Sequence, residues 1–274
     1  MSATAPDTLR AAHPPASLGR SLRSPPVKDL FDLTGKVALV TGGSRGLGLQ
    51  MVRAFAEHGA DVVVTSRKTD NCEVAAKEVR ELGRRALAVG CHVGHWDQID
   101  ALVAAAYDEF GKVDILVNNA GMSPLAPSLV DTSEDLFDKI IDVNFKGPFR
   151  LGSLVGKRMA DGDGGSIINV SSSGALFPNP SFGPYAGAKA ALNVLTQVLA
   201  RAYAPKVRAN TISAGPFLTD IADAWPEEAR QVAPSSIGRP GRPDEIVTTA
   251  LYLASPASSF TNGALIRVDG NLYA

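Results

Sequence analysis

The sequence predicts a single α/β domain in which a doubly wound parallel sheet carries helices on both faces. Short apolar runs alternate with segments of helical spacing from Lys36 onward. The apolar runs are continuous rather than interrupted by polar residues, as expected of strands that are buried on both faces. Several helical segments stop at a glycine, as at Gly59, Gly83 and Gly111, because glycine readily adopts the left-handed conformation that ends a helix.

Seven strands and six helices are predicted from these runs. The strands cover Val37–Thr41, Asp61–Thr65, Ala86–Gly90, Asp114–Val117, Ser166–Ser171, Val207–Ile212 and Ala264–Val268. The helices cover Gly46–His58, Asn71–Leu82, His95–Phe110, Ser133–Met159, Tyr185–Tyr203 and Pro243–Ala254. Within the longest helix, Gly147 and Pro148 predict a bend, because proline cannot donate the next helical hydrogen bond.

Composition favours a protein that acts on a small molecule. The chain has 274 residues, 45% of them hydrophobic, which is enough for one sizeable core, and no linker follows residue 36. Its 27 basic and 28 acidic residues are spread along the chain, so we expect no nucleic-acid partner. No apolar run approaches the ~20 residues that span a membrane, and we expect no membrane partner.

The first thirty residues differ in composition from the rest. They hold five prolines and four basic residues, which predicts a disordered arm at 1–30 and a folded domain at 31–274. A transit peptide remains an alternative, because basic and serine residues outnumber acidic ones. The only two cysteines, Cys72 and Cys91, suit a reducing compartment, and we expect a cytoplasmic protein.

A glycine-rich turn joins the first strand to the first helix. Gly42, Gly46 and Gly48 in this turn let the backbone bend tightly and approach a pyrophosphate. The start of the following helix offers free N–H groups and the positive end of its dipole to the phosphates. The turn therefore predicts a dinucleotide site on a Rossmann-type fold.

The spacing Gly-x-x-x-Gly-x-Gly resembles that of the short-chain dehydrogenase/reductase family, and the resemblance covers about residues 31–271. Asn118–Gly121 follows the fourth strand and matches the Asn-Asn-Ala-Gly motif of that family. The resemblance implies that this motif lines the adenosine side of the cofactor site and steadies the sheet. It also implies an oxidoreductase that uses a nicotinamide cofactor.

The end of the second strand predicts which cofactor is preferred. An acidic residue there would hydrogen-bond a ribose 2′-hydroxyl, but the chain reads Thr65–Lys68 without an acid. Arg67 at this position and Arg45 in the glycine turn suit a 2′-phosphate, because guanidinium groups bind phosphate strongly. We therefore expect NADP(H) to be favoured over NAD(H). The alternative is that Arg67 and Lys68 are only solvated surface charges.

A second departure lies after the third strand. Many relatives carry an aspartate there, near the adenine, and this chain carries His92. Histidine can stack or hydrogen-bond but cannot supply a carboxylate. Cys91, His92 and His95 also permit a metal site, but no fourth ligand lies nearby in the sequence, and we predict none.

Tyr185 and Lys189 are the predicted chemical centre. They lie four residues apart and so share one helix face. A lysine ammonium close to a phenol lowers the pKa of the phenol and lets it exchange a proton with a carbonyl or alcohol. Ser172 lies thirteen residues upstream, the spacing of the catalytic serine in the resembling family, with Ser171 and Ser173 left open as alternatives.

The resemblance implies four catalytic residues, and these are Asn144, Ser172, Tyr185 and Lys189. In relatives, the asparagine holds a water in a proton relay. The resemblance and the turn chemistry together predict the cofactor contacts. These are Gly42, Ser44, Arg45, Gly46, Leu47, Gly48, Ser66, Arg67, His92, Val93, Asn118, Ala120, Gly121, Tyr185, Lys189, Gly215, Pro216 and Thr219.

The predicted function is hydride transfer between NADP(H) and a carbonyl or secondary alcohol. A non-catalytic NADP(H) sensor is the alternative, although a sensor needs no Tyr–Lys pair. The identity of the substrate stays open among fatty acyl, terpenoid, steroid and sugar-derived carbonyl compounds. We expect residues 174–182 and 217–225 to border the substrate pocket. We predict a homo-oligomer, either a tetramer or a dimer. One contact would use the small residues on the Tyr185–Tyr203 helix, because relatives pair helices there across a two-fold axis, and a second would use the last strand.

Overall fold

The computed structural model describes residues 26–220, 222 and 227–272. Its centre is a seven-stranded sheet in the order β3-β2-β1-β4-β5-β6-β7, and every neighbouring pair is parallel. The strands are β1 Val37–Thr41, β2 Asp61–Ser66, β3 Ala86–Gly90, β4 Ile115–Asn118, β5 Gly165–Ser172, β6 Val207–Ala214 and β7 Leu265–Val268. The strand order reverses direction between β1 and β4, which makes the carboxyl edge there the expected ligand site.

Eight α-helices surround the sheet within the described residues. They are α1 Gly46–Glu57, α2 Thr69–Glu81, α3 Trp96–Phe110, α4 Glu134–Ile141, α5 Gly147–Asp161, α6 Gly183–Ala202, α7 Glu227–Gln231 and α8 Val247–Ala254. Ala38 and Val40 face a core shared with α1, α2 and α8. Val37 and Leu39 alternate with them and face a second core, shared with α3, α5 and α6. This arrangement confirms the predicted doubly wound sheet with helices on both faces.

The segment predicted as one long helix, Ser133–Met159, is divided in the structure. Ser133 caps α4 by accepting a hydrogen bond from the Leu136 N–H at 3.2 Å. A five-residue π turn, Asp142–Lys146, then leads into α5, and the Gly147 N–H donates to the Asp142 carbonyl five residues back. Pro148 has no N–H to donate to the carbonyl four residues earlier. The wider hydrogen-bond spacing therefore lies in the turn just before the predicted bend.

Other boundaries follow local chemistry. The helix predicted from Pro243 begins as a 3-10 turn, Pro243–Ile246, and continues as α8. A second 3-10 turn, Val27–Phe31, lies partly inside the predicted arm, and Phe31 packs against the core. Residues 1–25 lie outside the described residues, so the arm at 1–30 stays a prediction. Among the described helices, none is long and apolar enough to cross a membrane.

Candidate active site

The glycine-rich turn lies at the carboxyl edge of β1, where the strand order reverses. Gly42 and Gly46 have φ values of +63° and +53°, which favour glycine. A side chain on Gly48 would place its Cβ atom 2.1 Å from the Gly42 carbonyl oxygen. Asn119 Nδ2 donates to the carbonyl oxygens of Thr41 at 2.9 Å and Gly42 at 3.2 Å. The sequence prediction omitted Asn119, although it lies in the same Asn-Asn-Ala-Gly motif.

The geometry of this turn fits a dinucleotide. The N-terminus of α1, a helix of 12 residues, opens at the carboxyl edge with no side chains on Gly46 and Gly48 to block a phosphate. Ser44 lies in the turn, and Leu47 packs against the core and anchors it. Thr219 crosses over the turn, with its Cβ atom 3.4 Å from where a Cβ on Gly46 would lie.

The predicted contacts in the Asn-Asn-Ala-Gly motif fall into two groups. The Asn118 side chain is buried, and its Nδ2 atom donates to Asn169 Oδ1 at 2.8 Å, so it links the adjacent strands β4 and β5. The Ala120 N–H donates to Thr41 Oγ1 at 3.0 Å. Gly121 lies against the catalytic centre, because a Cβ there would be 3.5 Å from Lys189 Nζ.

The adenosine end of the site is formed after β2 and β3. Arg67 is exposed, and Ser66 Oγ lies 3.1 Å from Cys72 Sγ. The His92 N–H donates to Gln98 Oε1 at 2.8 Å. Burial lowers the pKa of His92, and the positive charges of His95 and Arg67 lower it further. This end of the site is therefore lined by groups that favour an anion.

Two neighbours of His92 complete this end. The Gly94 N–H donates to His92 Nδ1 at 3.1 Å, which leaves Nε2 as the protonated nitrogen of the neutral ring. Val93 is buried, and its carbonyl oxygen lies 2.2 Å from where a Cβ on Gly147 would be. Cys91 is buried and free. Among the described residues, no group of three His, Cys, Asp or Glu side chains is placed to hold a metal ion.

Arg45 has a partner that the sequence did not reveal. Its Nη1 atom lies 3.1 Å from Asp220 Oδ2, and both side chains are more than half exposed. The pair links the glycine turn to the segment after β6. An exposed ion pair of this kind contributes at most about 1 kcal/mol, so a phosphate could compete for Arg45.

The centre of the site lies on α6 and β5. Tyr185 occupies the first turn of α6, and Lys189 follows one turn later. The Lys189 side chain is buried, and its Nζ atom donates to the Val170 carbonyl at 2.8 Å and lies 5.8 Å from the centroid of the Tyr185 ring. Burial lowers the pKa of Lys189 to about 8, so its charge is present at neutral pH and is lost as the pH rises through that value.

Ser172 is the serine that faces Tyr185. Burial raises the pKa of Tyr185, and a hydrogen bond from Ser172 lowers it. Ser171 turns to the other side of β5 and donates to the Lys189 carbonyl at 3.2 Å, because side chains alternate along a strand. The Gly174 N–H donates a hydrogen bond to Ser172 Oγ at 3.0 Å. The sequence predicted that Lys189 lowers the pKa of Tyr185. In the structure the pKa of Tyr185 is raised, because burial is the larger cause.

Asn144 lies in the π turn between α4 and α5, and its side chain is buried. Its Nδ2 atom donates to the carbonyls of Met122 at 2.8 Å and Ile140 at 2.9 Å. Its Oδ1 atom accepts from the Met122 N–H at 3.3 Å. Asn144 therefore fixes the segment after Gly121, and a Cβ on Gly121 would approach its Oδ1 atom to 3.0 Å.

The segment after β6 completes the carboxyl edge. A Cβ on Gly215 would lie 2.6 Å from the Cα atom of Asp269, so only glycine fits there. The Pro216 carbonyl accepts from the Gly241 N–H at 2.9 Å. Thr219 follows and contacts the glycine turn. The structure thus brings the predicted residues of this segment to the same edge as Tyr185.

The glycine turn and the Tyr185–Lys189 pair at one edge of a parallel sheet are typical of nicotinamide-dependent oxidoreductases, and comparison with known proteins gives the family. The chain belongs to the short-chain dehydrogenase/reductase family. The family model described as Enoyl-(Acyl carrier protein) reductase matches residues 42–272. "Dehydrogenase/reductase SDR family member 4" of Bos taurus is 39% identical over 260 residues, which cover 93% of this chain and 91% of the relative.

Solved structures agree with the family assignment. A 7 alpha-hydroxysteroid dehydrogenase complexed with NADH and 7-oxo glycochenodeoxycholic acid has a TM-score of 0.83 at 34% identity and covers 89% of this chain and 96% of its own. The NADPH-dependent 3-quinuclidinone reductase from Rhodotorula rubra has a TM-score of 0.85 at 28% identity, over 93% and 98% of the two chains. The chain is thus an oxidoreductase of a family that binds a nicotinamide cofactor.

Proposed function

We propose that this protein transfers a hydride between NADP(H) and a carbonyl compound or secondary alcohol, with Tyr185 as the general acid and base. One observation carries the proposal: Tyr185 meets Ser172 and Lys189 at the edge where the glycine turn leaves room for a dinucleotide. A proton donor and a cofactor cradle at one edge are what this chemistry needs.

Each residue has a separate task in this proposal. The cofactor supplies or accepts the hydride. Ser172 donates a hydrogen bond to the substrate oxygen, and Tyr185 transfers a proton to that oxygen during reduction or takes it during oxidation. The Lys189 ammonium favours the phenolate form of Tyr185. Asn144 positions the segment after Gly121 and, by resemblance, holds a water that relays protons to Lys189.

The preference for NADP(H) is supported by the charges at the adenosine end. Arg67 is exposed there, close enough to His92 to lower the pKa of that ring, and no acid stands at the end of β2 to accept a ribose hydroxyl. The Arg45 side chain lies in the glycine turn, where it forms an exposed ion pair with Asp220. A phosphate dianion suits these groups better than a hydroxyl does.

A non-catalytic NADP(H) sensor is the second candidate, because the fold and the glycine turn would serve it equally. The Tyr185→Phe variant separates the two. It removes only the phenolic hydroxyl, so we expect carbonyl reduction to fall by about 10³-fold while NADPH binding, followed by fluorescence titration, stays within about twofold.

The matched control is Tyr107→Phe, which removes a hydroxyl from α3, remote from the site. We expect wild-type rates from it. Turnover by Tyr185→Phe equal to that of the control would refute the proposed mechanism. A wild-type protein that binds NADPH and turns over no carbonyl compound would favour the sensor.

We also propose a homo-oligomer and a cytoplasmic location. Val194 and Val198 are exposed on one face of α6, and Phe149 is exposed on α5, so two copies of this surface would bury apolar area. Leu265 at the free edge of the sheet offers a second contact. Mass measured by light scattering during size exclusion tests the assembly, and a monomeric mass at micromolar concentration would contradict it.

A further inference from the structure

Large apolar side chains are exposed on the three segments that follow strands at the carboxyl edge. They follow β4, β5 and β6, and they are between 37% and 69% exposed: Leu125, Leu129, Leu176, Leu218, Val232 and Ile237. We call this set the apolar rim. Exposed apolar groups that cluster at a concave functional edge mark a binding surface.

Contacts tie members of the rim to the catalytic centre. A Cβ on Gly183, two residues before Tyr185, would lie 2.9 Å from Leu129 Cδ2. The Leu176 N–H donates to the Ser173 carbonyl at 2.9 Å, next to Ser172. Leu129 therefore lies against the first turn of the helix that carries Tyr185, and Leu176 lies four residues after Ser172.

An aromatic ring forms the wall nearest to Tyr185. The rings of Phe182 and Tyr185 meet edge to face, with centroids 6.2 Å apart. A Cβ on Gly174 would lie 3.0 Å from Phe182 Cε2, so the ring also covers the start of the segment after Ser172. The Phe182 ring therefore provides an apolar surface directly beside Tyr185.

The polar side chains of the same segments bind one another. Ser128 Oγ donates to Asp131 Oδ2 at 2.5 Å. Asn179 Oδ1 accepts from the Ser181 N–H at 3.0 Å and from Ser181 Oγ at 2.8 Å. These groups hold the turns of their own segments, which leaves the apolar side chains facing outward.

The arginines beside the rim are paired in the same way. Arg239 Nη2 lies 2.8 Å from Glu245 Oε1, and Arg267 Nε lies 2.8 Å from Asp269 Oδ2, a buried carboxylate. Unlike Asp220 beside Arg45, Asp269 is buried, so a carboxylate or phosphate on the substrate could not readily replace it beside Arg267. The charges around the entrance therefore favour a neutral substrate.

We propose that the apolar rim and Phe182 select a neutral, predominantly apolar carbonyl compound as the substrate, or the corresponding secondary alcohol. This inference rests on the proposed carbonyl reductase function and narrows its substrate. Binding of the apolar part removes rim and substrate surface from water together, which lowers KM for such compounds.

Three aryl ketones of one skeleton test the inference. Butyrophenone ends in a methyl group, γ-hydroxybutyrophenone in a hydroxymethyl group and 3-benzoylpropionate in a carboxylate. With NADPH we expect kcat/KM to fall in that order, with the carboxylate at least about tenfold below the methyl compound. If another carbonyl compound is the faster substrate, the same order is expected for the three ketones as competitive inhibitors.

Variants assign the effect to the rim. Leu129→Ser and Leu176→Ser should each raise KM for butyrophenone by about five- to twentyfold, with less effect on a small ketone such as acetoin. Val74→Ser changes an exposed apolar residue of α2, remote from the site, and should change KM for neither ketone. Preference for the hydroxylated or anionic ketone, or rim variants that behave like Val74→Ser, would overturn the inference. Absence of turnover with every carbonyl compound would instead overturn the proposed function.

Discussion

The two ends of the cofactor site differ in how their side chains are held. At the catalytic end, Asn144 and Lys189 are buried, and protein carbonyls accept hydrogen bonds from both. At the adenosine end, Arg67 is exposed and Arg45 is held by an exposed ion pair. Removing one group from a preorganised site costs much activity. Exposed side chains can rearrange around a missing group, so the loss there should be smaller. Mutations at the two ends should therefore differ in size and in the quantity they change.

The largest effect in this comparison should come from Lys189→Met. Its charge is present below about pH 8 and favours the phenolate form of Tyr185. Without this charge, negative charge that develops on the Tyr185 oxygen during turnover is no longer stabilised, so kcat should fall by about 10²-fold at pH 7. The difference from the wild type should shrink as the pH rises through about 8, because the wild type then loses the same charge.

The measurement is kcat as a function of pH, with Lys206→Met as the control. Lys206 Nζ also donates to a backbone carbonyl, that of Gly162 at 2.9 Å, but it is exposed and remote from Tyr185. If Lys189→Met kept the pH profile of this control, Lys189 would have no role in the ionisation of Tyr185.

An intermediate effect is expected at the adenosine end, and it should appear in binding rather than in kcat. If Arg67 binds a 2′-phosphate as proposed, Arg67→Ala removes a charge-assisted hydrogen bond, so the dissociation constant for NADPH should rise by about tenfold. The constant for NADH should stay the same. Arg85→Ala, at the amino end of β3 on the opposite edge of the sheet, is the control. If Arg67→Ala weakened the binding of NADPH and NADH equally, Arg67 would not bind the 2′-phosphate.

The smallest effect should come from His92→Gln. Burial, His95 and Arg67 hold the pKa of His92 below its ordinary value, so the ring of the free protein gains its positive charge only as the solution becomes acidic. A bound phosphate favours the charged form. Between pH 8 and pH 6, the preference for NADPH over NADH should therefore rise about two- to threefold more in the wild type than in the variant.

Titration of both cofactors at the two pH values measures this effect. The 2′-phosphate itself gains a proton near pH 6, but this change is common to both proteins and cancels in the comparison. His58→Gln is the control, since His58 lies at the opposite edge, where its Nδ1 atom contacts the Ala54 carbonyl at 2.8 Å. A pH dependence that is the same in all three proteins would exclude His92 from cofactor selection.

Sequence reasoning predicted the fold well because its signals are local. Apolar residues dominate most of the strands, and Gly59, Gly83 and Gly111 end helices with φ of +99°, +77° and +74°. The π turn at Asp142–Lys146 was missed, because periodicity does not distinguish a five-residue hydrogen-bond spacing from the ordinary one. The short helix α7 was missed because five residues show no period.

The candidate site was predicted less completely. Spacing alone placed Tyr185 and Lys189 on one helix face, but it could not choose among three adjacent serines; the side-chain alternation along β5 favours Ser172. The ion pair between Arg45 and Asp220 joins residues 175 positions apart, which no local pattern reveals. The direction of the Tyr185 pKa shift depends on burial, a property of the assembled fold.

One buried feature has a consequence for how the chain folds. Asn118, Asn169 and Thr211 lie directly opposite one another on three adjacent strands, and Thr196 of α6 contacts the last two at 2.8 Å each. A slip of one residue between strands would turn these side chains to the other face of the sheet. Each buried amide or hydroxyl would then lack its partner, at about 1–3 kcal/mol apiece. This row of polar side chains therefore penalises misaligned sheets during folding and favours a single pairing of the central strands.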